Sequence, residues 1–228
     1  MTYVSNISSP YQGVFFDLDG TLVDTAPDLV AAANRLLAAH GKDSLPYEEL
    51  RPKASAGARG LIGASFGINP EHPEFIALRD EFFEYYEANI LVHSKLFDGI
   101  EELLNQFENS QIPWGIVTNK SERFTNPLLD LMGLKSRACV IVSGDTTPHS
   151  KPHPEPLLYA ARLAQIDPAK SLYVGDDHRD IIAGRDAGMK TVTALYGYLG
   201  SVEPAHQWGA DYEILRPLDL FDIVFADH

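Results

Sequence analysis

The sequence predicts an α/β fold: a doubly wound parallel sheet, Rossmann-like in its core, with a small all-helical domain inserted. Three observations predict it. Short apolar runs at 14–17, 114–118, 139–142, 172–175 and 191–194 read as buried parallel strands, and the later ones alternate with helical repeats. Residues 45–92 hold no good strand and interrupt that alternation. Acids, a hydroxyl and a lysine then gather just past the ends of the runs, where open α/β sheets bind their ligands.

Taken in order, residues 1–12 are polar and serine-rich and read as a loose lead-in. The first strand runs straight into Asp17-Leu18-Asp19-Gly20-Thr21. Asp17 and Asp19 are two positions apart and share a face in extended chain. Like charges at close range repel and burial penalises both, so a strand ending this way requires a cation or shared protons. Gly20 permits a sharp turn and a close approach of backbone to ligand.

A helix start follows at Asp24-Thr25-Ala26-Pro27. Leu29, Val30, Ala33, Leu36 and Leu37 repeat at helical spacing, and Gly41 closes the run. A short helix begins at Tyr47. Gly57, Gly60, Gly63 and Gly67 punctuate the next apolar stretch, and residues 75–86 form an amphipathic helix. The domain boundaries expected are therefore 1–24 for the first part of the core, 25–97 for the helical cap, and 98–228 for the rest of the core. Helices around 100–107, 124–132, 156–164 and 181–187 alternate with the remaining strands.

Composition narrows the function. The chain has 228 residues, enough for one large domain or a core with an insertion, and 45% of them are hydrophobic. A net charge of −14 argues against nucleic acid as a partner. No run approaches the roughly 20 apolar residues of a membrane span, and the N-terminus lacks a signal-peptide pattern. The lone cysteine, Cys139, lies in an apolar run and reads as a core residue with no disulfide. A cytoplasmic protein is expected.

The strand ends carry the candidate chemistry. The first ends on Asp17 and Asp19, the second on Thr118-Asn119, and the fourth on Asp176-Asp177 with Asp180 close behind; the loop before the helix at 156–164 carries Ser150-Lys151-Pro152. Asp17, Asp176 and Asp180 can hold a hard cation through oxygen, and few protein ligands plus water suit Mg²⁺. Thr118, Lys151, Asn119 and the backbone around Leu18 and Gly20 can hold a phosphate. One carboxylate remains as nucleophile. Singly, each residue has a plainer account: Thr118 as a strand-end hydroxyl, Lys151 as a solvated lysine, and Asp176, Asp177 and Asp180 as acids favoured at a helix start. Their joint placement at successive strand ends speaks against those accounts.

The pattern of Asp17 to Thr21, then Thr118, then Lys151-Pro152, then Gly175 to Asp180 resembles the haloacid dehalogenase superfamily of phosphohydrolases, along the whole core. The insertion lies where that family carries its helical cap. The resemblance implies that Asp17 attacks phosphorus to form an aspartyl-phosphate and that Asp19 is the general acid and base. It implies Mg²⁺ held by Asp17, the Asp19 carbonyl and Asp176, with Asp180 in support. Asp177 stands where many relatives have serine, and its role is open.

Cap and core together look like the phosphoglycolate phosphatase group. Gly57-Ala58-Arg59-Gly60, residues 92–99 and Trp208-Gly209-Ala210-Asp211 resemble the branch that hydrolyses N-acetylmuramic acid 6-phosphate in cell-wall recycling. The expected partner is a small phosphorylated metabolite, a phosphosugar with a carboxylate that Arg59 could meet; Arg59 and Lys53 could equally be solvated cations. At the return hinge, His93-Ser94-Lys95 line the cleft or mark the linker. Phosphoglycolate phosphatase is the alternative. A phosphomutase, revealed by bisphosphate-dependent isomerisation, and a phospho-acceptor signalling module, which would not turn over p-nitrophenyl phosphate repeatedly, stand behind it.

Overall fold

The computed structural model of the protein describes residues 9–200 and 203–225. Strand β1 (Gly13–Phe16) is buried throughout. After it the chain turns through the acidic loop into β2 (Val23–Asp24) and climbs into four helices: α1 (Ala26–Ala39), α2 (Tyr47–Leu50), α3 (Gly57–Phe66) and α4 (Phe75–Glu87). It returns through β3 (Lys95–Leu96), which pairs antiparallel with β2, so one two-stranded ribbon joins the outward and return crossings. The order then runs α5 (Ile100–Asn109), β4 (Trp114–Val117), α6 (Glu122–Leu131), β5 (Ile141–Val142), α7 (Glu155–Ala164), β6 (Ser171–Gly175), α8 (His178–Asp186), β7 (Lys190–Ala194), β8 (Tyr212–Ile214) and α9 (Asp219–Val224).

The main sheet is β5-β4-β1-β6-β7-β8, every pair parallel. Alternate residues of each strand face opposite sides. Phe16, Ile116 and Val174 join a core shared with α5, α6 and the insert, while Phe15, Val117 and Tyr173 face α7 and α8. The sheet is thus covered on both faces, which is why its strands read as unbroken apolar runs. From β1 the chain crosses to β4 on one side and later to β6 on the other. The strand order therefore switches at β1, and the crevice beyond β4, β1 and β6 is where a ligand fits.

Helices α1, α3 and α4 of the insert pack on one another. Leu29, Leu36, Leu61, Phe82 and Tyr86 join one apolar cluster continuous with the core below. Asp28, in the first turn of α1, accepts hydrogen bonds from the backbone N–H of Val92, His93 and Ser94 and from Ser94 Oγ, at 2.6–3.1 Å. Residues 92–94 are a tether for the return crossing.

Several expectations change. Residues 1–8 of the expected lead-in lie outside the described residues. Ser9–Gln12 are held in place: Ser9 Oγ donates to Val224 O at 2.7 Å and Tyr11 is buried. Cys139 is exposed and lies ahead of β5, which begins at Ile141. Strands β2, β3 and β8 carry no periodic signal; two or three residues are too few to show one. Among the described residues no helix is long and apolar enough to cross a membrane.

Candidate active site

The ends of β1, β4 and β6 bring together what the sequence spreads over more than 160 residues. Asp17 follows β1. Its Oδ1 accepts from the Leu18 N–H at 2.8 Å and lies 2.9 Å from Lys151 Nζ. Its other oxygen has no partner among the described residues, and the residue lines a cavity of about 460 Å³ between sheet and insert. Asp17 is therefore a fixed carboxylate with one oxygen free, the arrangement a nucleophile requires.

Lys151 is buried, lines the cavity, and is held by Asp180 Oδ1 (2.7 Å), Tyr173 OH (2.7 Å) and Val117 O (3.1 Å). Burial opposes its charge, but Asp17 and Asp180 outweigh burial and raise its pKa. Asn119 holds the Lys151 loop with both ends of its amide: Nδ2 donates to Lys151 O and Oδ1 accepts from Lys151 N, each at 2.9 Å. The amide expected to meet phosphate is thus committed to positioning the lysine. Gly20 is likewise committed, since its N–H donates to Val23 O. Its value is space: its φ is +86°, and a Cβ there would lie 2.3 Å from Asp176 Oδ2. Thr118 is buried at the tip of β4, lines the cavity, and accepts from Lys120 N.

Asp176 lies behind Asp17, held by Thr21 Oγ1 (3.0 Å) and Tyr198 N–H (2.8 Å). Burial, then the charges of Asp17 and Asp180, push its pKa well above the usual carboxylate range. Burial also pushes Asp180 up, to about 6, against the pull of Lys151. One oxygen from each of Asp17, Asp176 and Asp180 falls within a 4.8 Å cluster. Three oxygen donors converging at a point where their own charges are costly fit a hard divalent cation. Asp180 already receives Lys151 and the Asp177 N–H, and Asp176 receives Thr21 and Tyr198, so Asp17 is the freest of the three ligands.

Asp19 faces the cavity from the other side. Lys120 Nζ holds both its oxygens (3.0 and 3.2 Å), and Thr25 Oγ1 donates to Oδ1 at 2.5 Å. The Lys120 side chain is only 5% exposed and lies 4.6 Å from the centre of the Tyr86 ring, which α4 supplies. Burial disfavours its charge, yet Asp19 outweighs burial and its pKa rises. Sequence reasoning missed Lys120, Thr25, Tyr86 and Tyr173. Lys120 adjoins Asn119 and was within reach of the strand-end rule; Tyr173 sits inside an apolar run and gives no sign.

Arg59, on α3, is exposed, lines the cavity and takes no partner among the described residues. Lys53 is exposed and does not line it. Asp177 caps α8, accepting from the Arg179 N–H, and also accepts from Ser55 Oγ of the insert at 2.6 Å. The motif around Trp208 lies away from the cavity: Trp208 stacks on His178, and Asp211 ties down Lys190 and Thr191.

Residues 14–194 match the family model of the haloacid dehalogenase-like hydrolases. An N-acetylmuramic acid 6-phosphate phosphatase of Pseudomonas putida is 43% identical over 93% of this chain and 96% of its own. A phosphoglycolate phosphatase of Xanthomonas campestris pv. campestris is 41% identical over 92% and 95%. The crystal structure of a predicted phosphoglycolate phosphatase from Haemophilus somnus 129PT superposes with a TM-score of 0.83 at 27% identity, covering 94% of this chain and 98% of that one.

Proposed function

The chain belongs to the haloacid dehalogenase-like hydrolases, and from that premise we propose that it hydrolyses the phosphomonoester of N-acetylmuramic acid 6-phosphate in the cytoplasm, using Mg²⁺. The observation that carries the chemistry is Asp17, with one oxygen pinned by Lys151 and Leu18 and the other free in the cavity.

The free oxygen attacks phosphorus as the bond to the sugar oxygen breaks, giving an aspartyl-phosphate. Asp19 delivers a proton to that leaving oxygen, then takes one from the water that attacks the aspartyl-phosphate. Inorganic phosphate leaves and Asp17 is regenerated. Lys151 and Thr118 steady the phosphoryl oxygens while charge redistributes. Asp17, Asp176 and the Asp19 carbonyl would hold Mg²⁺, with Asp180 in support; when bound, the cation neutralises repulsion between carboxylate and phosphate. Helices of residues 25–97 act as the cap that roofs the site.

Three observations support the muramic ester. Relatives of that name are 43% and 44% identical over 93% of this chain. The cavity of about 460 Å³ suits a phosphosugar. Arg59 offers an unpaired guanidinium to a carboxylate. Phosphoglycolate is the second reading, supported by relatives named for it at 41% identity; that ester would leave much of the cavity to water.

Arg59→Ala should cost about 1.5–3 kcal/mol in kcat/KM on the muramic ester, the range for a charged hydrogen bond. It should cost much less on p-nitrophenyl phosphate, which has no carboxylate. Equal losses would remove Arg59 as a carboxylate contact, and a kcat/KM for phosphoglycolate well above that for the muramic ester would overturn the substrate. Chelation by EDTA should abolish turnover, Mg²⁺ should restore it, and Ca²⁺ should inhibit through its looser shell. Full turnover after exhaustive chelation would rule the metal out.

A further inference from the structure

Arg179 stands on the first turn of α8 and lines the same cavity as Asp17, Asp180 and Arg59. It is gripped from two sides. Nε donates to Asp177 Oδ1 at 2.7 Å and Nη2 to Asp177 Oδ2 at 3.0 Å. Nη2 also donates to Ser55 O of the insert at 2.8 Å, while Ser55 Oγ donates to Asp177 Oδ2. The guanidinium is thus locked into the seam where insert meets sheet. Nη1 donates no hydrogen bond to any described residue, and the side chain remains 29% exposed.

This geometry differs from that of Arg59. An exposed, unpaired arginine loses side-chain entropy when a ligand immobilises it. A guanidinium already fixed by a carboxylate and a carbonyl loses little, and its remaining N–H edge is a preorganised donor for an anion. Asp177 offsets part of the charge, so the edge would favour a compact anion able to accept directly from Nη1 over general attraction of phosphate. The phosphoryl group already has Lys151 and Thr118.

We infer that Arg179, fixed by the Asp177–Ser55 clasp, is a specificity-determining residue that binds the carboxylate on the organic part of the substrate, the same group that Arg59 meets from the other wall of the cavity. The inference rests on the proposed muramic ester as substrate. It also accounts for Asp177, whose carboxylate orients the Arg179 guanidinium and, through Ser55, seats the insert above it.

The test compares N-acetylmuramic acid 6-phosphate with N-acetylglucosamine 6-phosphate, the same amino sugar phosphate without the lactyl carboxylate. The readout is the ratio of their kcat/KM values with the full chain and Mg²⁺. Arg179→Gln should lower that ratio by about 10- to 100-fold, as expected for loss of a charged hydrogen bond. Arg179→Lys, which keeps the charge but not the fork, should lower it too, and it serves if the Gln variant fails to fold. Equal losses on both esters would mean that Arg179 serves only the clasp or the phosphate, and would overturn the inference. An unchanged ratio would overturn it as well. If the wild-type protein itself shows no preference for the muramic ester, the substrate reading fails first and the inference falls with it. A wild-type preference that survives in Arg179→Gln sinks the inference alone.

Discussion

Asp17→Asn should lower kcat by about 10⁴-fold or more, since an amide is a poor nucleophile and single loss of a covalent nucleophile removes most of an enzyme's rate. The fold should survive. Lys151 keeps Asp180, Tyr173 and Val117 as partners when Asp17 becomes neutral. The substitution also removes one charge from a cluster in which burial and repulsion already push Asp176 up. In metal-free buffer the variant's Tm should therefore match or exceed that of the wild type. Added Mg²⁺ should raise its Tm less than it raises the wild type's, because a ligand stabilises only in proportion to its binding. Near-normal turnover in a clean preparation would end the covalent mechanism. An unaltered Mg²⁺-induced rise in Tm would take Asp17 out of the metal site.

Asp19→Asn should lower turnover by about 10²–10⁴-fold, the usual value of a positioned proton donor and acceptor. The two steps should suffer unequally. With an activated ester such as p-nitrophenyl phosphate the leaving group needs little protonation, so Asp17 is still phosphorylated. Hydrolysis of the aspartyl-phosphate needs a base, so phosphate should accumulate on Asp17 and appear as a burst followed by slow release. The structure adds a thermal consequence. Lys120, with a side chain only 5% exposed, would keep the Tyr86 ring but lose its carboxylate. Removing one partner of such a pair strands the other charge, so Asp19→Asn should lower Tm where Asp17→Asn does not. Equal slowing of phosphorylation and hydrolysis, with no trapped phosphate, would contradict the role of Asp19.

The contrast between those two variants comes from residues of unequal legibility. Asp17, Asp19, Thr118 and Asp176 stand out in the sequence because each lies at or just past the end of an apolar run, while Lys151 and Asp180 are legible through their spacing to Pro152 and to Gly175-Asp176. Burial makes such breaks expensive, so an acid or lysine at a buried strand end signals a partner. Tyr173 lacked that contrast, being an aromatic in a strand; Lys120, just past the end of β4, lay within reach of the same rule but was overshadowed by Thr118-Asn119 beside it. Cys139 misled for the opposite reason: its apolar neighbours suggested a strand that in fact starts two residues later.

The sequence by itself determined the α/β alternation, the place of the helical insertion and the inventory of strand-end groups. These follow from local periodicity and from the cost of burying polar side chains. Which groups pair was decided only by the tertiary structure. Lys120 meets Asp19 across 101 positions, and Ser55 meets Asp177 across 122. Such pairings depend on which strands become neighbours and on how the insert settles over them. The side-chain pattern of a strand is the same whichever neighbour it takes, so the sequence leaves those contacts open. The sheet order β4-β1-β6 and the β2–β3 ribbon close them.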